Sequence, residues 1–442
     1  VAGSAESCAC SAARMVSRGV GITSPACSFH LFAALAVCVA SGSLWPSVGI
    51  EGEKEMTEAV DDEESQVSVC TDCARHPSLK KTIEADPVTG ICAFCCRTDA
   101  RVRNPENTEP MVMLMRALIR FYWDEFSYNS HWGGEAVLEL FNDADNPVVE
   151  PFAANDYYDA FDHLLQDPPY PDWDKGVSIY AGFDADGMRM LNSAISRSTP
   201  RPVGHLRKRL DASNYAKMES ELESLIKPFL ADLKFVLPKG GTWFRARTGV
   251  EARFLRSDGF DSHIVRQPYM GASIGASPNP GNGRLNREGR PVLYLGSDPY
   301  TALAEIRPHP GHYVSIGGFE ILKDLNVADF DPDISLFSTS DERLEMYEII
   351  QTFDRWMSTP VTPDDKVSYL ITQLLAEILQ AQGFHAVQFR SSVSEGVNLC
   401  IFDTTLAAFV EGHSSVRFIQ SVHYEASEHP SVTSPEPGDH PV

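Results

Sequence analysis

Apolar residues recur at helical spacing in two stretches in the middle of the chain. Residues 109–127 form one amphipathic run, and residues 215–235 repeat apolar side chains three and four positions apart. Pro228 lies inside the second run and is expected to kink it. The pattern predicts a mostly helical region over residues 105–236, which ends at the Pro- and Gly-containing segment 237–241.

The pattern changes in the C-terminal half, where short apolar runs alternate with glycine-rich loops. Residues 242–247 and 292–296 predict two strands, and a third is expected at 398–402. A further strand is expected around Val387. With the helices that precede them, these strands predict an α+β fold class.

Two helices are expected among these strands. Asp298 can cap a short helix whose first residue is Pro299 and which ends before Pro308. Residues 369–382 predict a second, amphipathic helix that is closed by Gly383.

Length and charge narrow the class of protein. The chain has 442 residues, which suits two or three domains, and its 37 basic and 61 acidic residues give a net charge of −24. Such an acidic chain is repelled by phosphate backbones, so we expect no general nucleic-acid binding. A small anionic ligand held in one local basic pocket remains compatible with this charge.

The two ends of the chain differ from the rest. Basic residues precede an apolar stretch at 29–40 and then a group of small residues, which is the order found in a signal peptide. The alternative is an upstream extension without structure, with Met56 as a natural start, and the cysteine-rich segment that follows favours it. The apolar stretch is shorter than the ~20 residues that span a bilayer, so no membrane segment is expected. Residues 1–55 are therefore left out of the fold prediction, and residues 425–442 are expected to be disordered.

Four cysteines form two Cys-x2-Cys pairs, Cys70 with Cys73 and Cys92 with Cys95. The gap between the pairs lies in the range of about 15–20 residues that is usual for zinc sites. Four thiolates complete a tetrahedral Zn²⁺ site and leave no position for water or substrate, so we expect a structural zinc ribbon over residues 56–104. Clustered free thiolates fit a reducing compartment, and a cytoplasmic location is expected.

Polar residues of the C-terminal half could form a site for an anion. Arg245 and Arg247 lie at the end of a predicted strand. Arg284 and Asn286 follow in a glycine-rich loop. Guanidinium groups can fork onto a pyrophosphate with charge-assisted hydrogen bonds, so these residues are candidates for phosphate binding.

A glutamate, a tyrosine and two serines could complete a catalytic site. Glu305 could stabilise an oxocarbenium-like cation, and Tyr294 could stack on a ring or donate its hydroxyl. Ser391 or Ser392 could hydrogen-bond a phosphate or a ribose. Each of these groups also has an ordinary role, since a lone glutamate on a helix is usually solvated and a lone tyrosine in a strand usually belongs to the core. As a set they favour cleavage of the N-glycosidic bond of a dinucleotide.

Six short stretches of this half, in order along the chain, resemble the RES domain family, which is named for its Arg, Glu and Ser residues. They are FRAR (244–247), GRLN (283–286), LYL (293–295), TALAEIR (301–307), QFRSS (388–392) and GVNLCIF (396–402). The ribbon and the helical region are similar to a HEPN-like N-terminal region that accompanies one branch of the family. The resemblance implies a mixed α/β domain with a fold similar to that of ADP-ribosyltransferases.

The resemblance also implies an activity. RES proteins degrade NAD⁺ at the nicotinamide–ribose bond, by hydrolysis or phosphorolysis, and many are toxins paired with an antitoxin. The family's positions imply catalytic roles for Glu305, Tyr294 and Arg284. They imply substrate binding at Arg245, Arg247, Asn286, Ser391 and Ser392, with Arg247 and Ser392 as near-register alternatives. Ala246 stands where the family usually has a tyrosine, so this sequence departs from the family pattern at the contact to the nicotinamide end of the substrate.

The sequence therefore predicts an NAD⁺ glycohydrolase or phosphorylase with structural Zn²⁺ and with NAD⁺ as substrate. Two alternatives stay open, namely transfer of ADP-ribose to a macromolecule and a non-catalytic zinc-ribbon interaction protein with a degenerate RES domain. An antitoxin partner and a homo-oligomer are also left open. We expect a ribbon over 56–104, a helical domain over 105–236 and a RES domain over 237–424, with the ribbon unfolding separately from the RES domain.

Overall fold

The computed structural model describes most of the chain from Val67 onward. The described residues are 67–128, 133–135, 137–153, 157–166, 176–177, 182–183, 191–210, 214–359 and 369–423. They all belong to one unit of the chain, Glu58–Val442. The extension predicted at 1–55 and the tail predicted at 425–442 lie outside the described residues.

The first elements form a small three-stranded sheet with one helix. They are β1 (Val67–Ser68), α1 (Pro77–Ala85), β2 (Pro87–Cys92) and β3 (Ala100–Arg103). Strand β2 pairs with β1 in parallel and with β3 antiparallel. Helix α1 begins at Pro77, and the ring of His76 accepts a hydrogen bond from the Ser78 amide as its N-cap. Both cysteine pairs lie in this group, the first between β1 and α1 and the second from the end of β2.

The middle region is mostly helical, as predicted. Its elements are α2 (Glu109–Tyr122), α3 (Glu125–Tyr128), α4 (Val137–Phe141), α5 (Tyr158–Gln166), the short pair β4 (Gly176–Val177) and β5 (Gly182–Phe183), α6 (Arg201–Arg209) and α7 (Tyr215–Ile226). The helix expected over 215–235 is wrong in its second half. Pro228 has no amide hydrogen to donate and lies in a 3₁₀ turn, Lys227–Phe229, after which the chain enters a strand at Lys234.

The remaining elements build a mixed sheet and its helices. They are β6 (Lys234–Leu237), β7 (Thr242–Thr248), β8 (Ala252–Asp258), β9 (Asp261–Gln267), β10 (Leu293–Gly296), α8 (Pro299–Glu305), β11 (Tyr313–Ile321), β12 (Leu325–Asp329), α9 (Asp341–Ser358), α10 (Leu370–Ala381), β13 (Ala386–Arg390), β14 (Val397–Ile401) and β15 (Ala407–Phe418). Eight strands pair in the order β15-β11-β7-β10-β14-β13-β12-β6. Within the described residues of this eight-stranded sheet, β12 and β13 pair in parallel and the other neighbours are antiparallel. Strands β8 and β9 form a separate hairpin.

The strands and helices expected in this half are present. Strands β7, β10, β13 and β14 lie where the apolar runs predict them, and α8 begins at Pro299 with Asp298 as its N-cap. Helix α10 ends at Ala381, and Gly383 follows with φ +85°, a conformation that favours glycine. The sheet, however, begins with β6, which starts at Lys234 and spans the boundary predicted at 236–237.

One buried core joins the three regions. It runs from Val67 in the ribbon through Leu118 in α2 to Phe402 after β14. At the surface, Lys81 of α1 lies 3.3 Å from the carboxylate of Asp333, which precedes α9. The predicted boundaries at 104–105 and 236–237 are therefore crossed by continuous packing. No helix in the described ranges combines the length and the apolar character needed to cross a bilayer.

Candidate active site and metal centre

A cavity of about 300 Å³ opens on the side of the sheet where α8 packs. Its polar lining consists of Arg245, Arg284, Tyr294, Glu305 and Asn398. Four of the residues singled out from the sequence thus share one cavity. Its volume lies at the lower end of the range of about 300–1,000 Å³ that is typical of ligand sites.

The sheet register explains why residues that are distant in sequence meet here. Gly296 of β10 is the cross-strand partner of Asn398 of β14, and Asn398 is in turn the partner of Phe389 of β13. Directly paired residues point to the same face of a sheet. The alternation also puts Tyr294, two positions before Gly296, on this face.

Helix α8 carries Glu305 and is fixed at its N-terminus by Asp298. One carboxylate oxygen of Asp298 accepts from the amides of Tyr300 and Thr301, both at 2.9 Å. Burial opposes ionisation of this carboxyl, but its hydrogen bonds, those from Thr301 above all, outweigh burial and lower its pKa. Gly396 leaves room for this cap, because a Cβ there would lie 2.1 Å from the Thr301 hydroxyl. Helix α8 is thereby held against the strand that carries Asn398.

Glu305 is held through one of its two carboxylate oxygens. Its Oε1 accepts from the hydroxyl of Ser391 at 2.7 Å and from the side-chain amide of Asn398 at 2.6 Å. Ser391 follows β13, and its Oγ also accepts from the Val393 amide at 3.2 Å. The predicted Glu305 and Ser391 are therefore in direct contact.

Arg245 lies half-buried in the cavity wall. It donates to the carbonyl of Tyr294 at 3.1 Å, while its Nε is buried without a partner in the described part of the chain. Burial, and then the positive charge of Arg247, lower the pKa of the Arg245 guanidinium. A guanidinium in this position is suited to an anionic ligand.

Arg284 lies at the cavity and at the end of α9. Its guanidinium donates to the carbonyl of Met357 and, at 3.1 Å, to that of Thr359. These carbonyls belong to the last turn of the helix, where backbone acceptors lack intrahelical partners. Among the described residues, no carboxylate forms an ion pair with Arg284 or Arg245.

The hydroxyl of Tyr294 is committed to the glycine-rich loop. It donates to Asn286 Oδ1 at 3.1 Å and accepts from the Leu285 amide at 2.8 Å. Burial raises the pKa of this hydroxyl well above its usual value. The Asn286 amide nitrogen donates to the carbonyls of Gly281 and Arg287. Tyr294 therefore presents its ring to the cavity, and Asn286 shapes the loop that carries Arg284.

Four predicted residues are not among those that line the cavity, namely Arg247, Asn286, Ser391 and Ser392. Arg247 is exposed, donates to the Ser273 carbonyl and stacks over the ring of Tyr269 at 4.4 Å. Ser392 is exposed beside Ser391. Between the alternatives left open by sequence, Arg245 lines the cavity, and Ser391 contacts it through its hydrogen bond to Glu305.

The strand end that precedes Ser391 is anchored by an ion pair. Arg390 donates through Nε to Asp354 of α9 at 2.8 Å, and the Asp354 side chain is completely buried. A buried carboxylate is stable only with a close partner. The ion pair holds the end of β13 against α9 and so fixes the position of Ser391, the next residue.

The four predicted cysteines form a second candidate site. The Sγ atoms of Cys70, Cys73, Cys92 and Cys95 all lie within 4.8 Å of one another. Cys70 and Cys95 are 3.9 Å apart, which is close to the edge of about 3.8 Å of a tetrahedron with metal–sulfur bonds of ~2.3 Å. The backbone amide of Cys70 also donates a hydrogen bond to the Cys92 sulfur at 3.4 Å. The cluster has the ligand set and the spacing of a four-thiolate metal site.

Comparison with known proteins identifies the C-terminal region. Residues 254–422 match the family model described as RES domain. The chain contains a RES domain. Arg284, Tyr294, Glu305 and Ser391 lie inside the matched range, whereas Arg245 precedes it, although β7 belongs to the same sheet.

Two further comparisons were made. The toxin–antitoxin complex MbcT–MbcA of M. tuberculosis contains a chain that is 12% identical over 44% of this chain and 93% of that one, with a TM-score of 0.25. No curated protein matches the chain.

Asn398 is a site residue of the RES domain that the sequence prediction missed. It lies inside the stretch GVNLCIF, but an asparagine in a strand carries no local mark of function. Its contact with Glu305 depends on which strands pair and in which register, and that is long-range information.

Proposed function

We propose that this protein is an NAD⁺-degrading enzyme that cleaves the nicotinamide–ribose N-glycosidic bond. The observation that carries the proposal is the carboxylate of Glu305, held in a cavity that also contains two guanidinium groups without acidic partners in the described chain. A dinucleotide offers the matching chemistry, with an anionic pyrophosphate and a ribose that becomes cationic as the base leaves.

Each residue of the cavity has a role in this proposal. Arg245 and Arg284 bind the pyrophosphate through their remaining N–H groups. The ring of Tyr294 borders the nicotinamide riboside. Glu305 stabilises the ribosyl cation as nicotinamide departs, after which water or phosphate attacks the anomeric carbon. Because about 300 Å³ is small, the cavity is proposed to hold the nicotinamide riboside and the adjoining pyrophosphate, while the adenosine part of NAD⁺ lies outside it.

The biological setting is part of the same proposal. The RES domain supports a toxin that acts on cellular NAD⁺ and is kept silent by a protein antitoxin. The cysteine cluster is proposed to hold a structural Zn²⁺, since four thiolates leave no open coordination position. Cysteines arranged as metal ligands fit a reducing compartment, so a cytoplasmic setting is part of the proposal.

The test is the release of nicotinamide by the purified protein. We expect the protein to release nicotinamide from NAD⁺, and chromatography measures this release. The second product is then identified in the presence and absence of inorganic phosphate, which distinguishes phosphorolysis from hydrolysis. Release that requires an added protein acceptor would instead indicate ADP-ribosyl transfer.

Glu305→Gln is expected to lower kcat a few hundredfold with little change in KM. A neutral amide cannot stabilise the growing positive charge on the ribose, and loss of one preorganised electrostatic group costs ~3–4 kcal/mol in the transition state. Steady-state kinetics measures the effect, with Glu395→Gln as the control because Glu395 is an exposed carboxylate in the loop that carries Ser391. A kcat of Glu305→Gln within threefold of the parent would remove Glu305 from the mechanism.

A further inference from the structure

Two hydrogen-bond donors converge on the same oxygen of Glu305. Ser391 and Asn398 both donate to Oε1, at 2.7 and 2.6 Å. We propose that Asn398 is a positioning residue, which together with Ser391 locks the Glu305 carboxylate so that Oε2 faces the reacting ribose. This inference rests on the proposed function and adds to it a residue that acts only through Glu305.

The sheet is constructed so that Asn398 can reach the helix. Its cross-strand partner is Gly296, where a Cβ would lie 2.7 Å from the Ala302 amide of α8. The missing side chain lets α8 pack directly on β10. Asn398 points to the same face from the neighbouring strand, so its short amide meets the last residue of α8, Glu305.

Asn398 itself is fixed by its surroundings. It is only 6% exposed, and it lies between β10 and β13 with a backbone partner on each side. Its amide therefore has little freedom to turn away. A donor whose position is set by the strands, and not by a flexible loop, holds its acceptor without reorganisation during the reaction.

The cavity gives a reason for such a lock. Arg245 and Arg284 line the same space as Glu305. A carboxylate without fixed donors would be drawn towards these guanidinium groups, and an ion pair with either of them would withdraw its charge from the ribose. Two donors on Oε1 keep the carboxylate in place and leave the arginines available to the pyrophosphate.

The experiment is a double-mutant cycle in the full-length protein. Nicotinamide release is measured for the parent, Asn398→Ala, Glu305→Ala and the double variant, with Glu395→Gln as the control because Glu395 is exposed in the loop between β13 and β14. We expect Asn398→Ala to lower kcat about tenfold to a hundredfold, as is typical for a hydrogen bond to a charged group, with KM changed less than threefold. In the Glu305→Ala background, the same change should have less than a twofold effect.

The outcomes separate this inference from the proposed function. A parent protein that releases no nicotinamide, or a Glu305→Ala variant that retains full release, would overturn the proposed function itself. If Glu305 is required but Asn398→Ala retains kcat within twofold, the positioning role is wrong. Equal losses in both backgrounds would also overturn it, since Asn398 would then act by another route.

A second variant covers the case in which Asn398→Ala does not fold. Asn398→Asp keeps the shape of the side chain and replaces the donor with an acceptor. It is expected to lower kcat at least as much as Asn398→Ala, again without a matching rise in KM. Folded Asn398→Asp with parental kcat would contradict the proposal.

Discussion

The two arginines of the cavity differ in the hydrogen bonds that they make to the rest of the protein. Arg245 makes one hydrogen bond, to the carbonyl of Tyr294, and its Nε is buried without a partner in the described chain. Arg284 also closes the end of α9 through the carbonyls of Met357 and Thr359. A change at Arg284 therefore affects both ligand binding and the local structure, and the two effects have to be measured separately.

Arg284→Ala is expected to weaken NAD⁺ binding by ~2–5 kcal/mol, because removal of one partner leaves the desolvated pyrophosphate without its counter-charge. Arg284→Lys should recover only part of the affinity, since a lysine lacks the planar fork. Calorimetric titration with NAD⁺ measures the binding, and thermal unfolding reports the loosening of α9. Arg290→Ala is the matched control, because Arg290 lies exposed in the same loop. Unchanged affinity in Arg284→Ala would exclude this arginine from the phosphate site.

At the scale of residues, the sequence is informative about which side chains line the cavity and less informative about their hydrogen-bond partners. Glu305, Tyr294 and Arg284 could be predicted because they lie in short stretches of recognisable order. Asn286 also lies in such a stretch, but its side-chain amide donates to backbone carbonyls of its own loop. Whether a polar group faces a ligand or its own backbone depends on the local turn, and residue type alone does not determine it.

Among the elements, helix α8 was predictable from its cap, whereas strand β11, with two glycines in its interior, was not. Asp298 and Pro299 mark the start of α8 in the sequence as they do in the structure. Strand β11 contains Gly317 and Gly318, and glycine usually counts against a strand. Here packing favours both glycines, since a Cβ at Gly318 would lie 2.8 Å from the His413 side chain on β15, and a Cβ at Gly317 would lie 3.1 Å from the Phe409 ring. Such a requirement arises only after the strands have paired.

Helix α1 provides a pH-dependent element. His76 caps it through Nδ1, which accepts from the Ser78 amide at 3.2 Å and can do so only when the ring is neutral. Burial lowers the pKa of His76, and the nearby carboxylate of Asp333 opposes this only in part. The unfolded chain therefore takes up a proton near pH 6.5, whereas the folded chain takes it up at a lower pH.

Stability should accordingly fall as the pH drops below about 6.5 towards the lower pKa of folded His76, and above pH 6.5 this contribution should be constant. His76→Asn keeps a good capping residue that does not titrate, so it should lose less stability over the same range, by ~1 kcal/mol, the value of a typical cap. Urea unfolding of both proteins from pH 7.5 to 5 measures the difference, in which protonation of the cysteines cancels. Parallel curves for the two proteins would show that His76 is not the titrating cap.

For the whole molecule, the shared core changes the expectation about the ribbon. Buried side chains pack continuously from Val69 beside Cys70 to Phe402 next to the eight-stranded sheet. Loss of the metal would place four thiolates in the same cluster without their counter-charge. The spacing along the sequence suggests that the ribbon unfolds separately from the RES domain. The continuous packing instead supports unfolding of the two together.

Removal of zinc with a chelator is expected to lower the thermal midpoint of the RES domain together with that of the ribbon, in one transition. Circular dichroism follows the helices, and nicotinamide release follows the cavity. Cys96→Ser is the matched control, because Cys96 adjoins the cluster but is not one of its four members. Two separate transitions, with the cavity still active after the first, would show that the ribbon and the RES domain fold independently.

The edge strand β6 has a consequence for any fragment of this protein. It covers one side of β12 through the pairs Leu237 with Leu325 and Phe235 with Val327. A fragment that starts at residue 238 lacks this cover and presents β12 as an open row of amide and carbonyl groups, which recruits strands from other copies. Size-exclusion chromatography should find such a fragment aggregated, while one that starts before Lys234 should aggregate less. The eight-stranded sheet therefore cannot be excised at residue 238 without exposing an edge, because its outermost strand β6 directly follows the helical region.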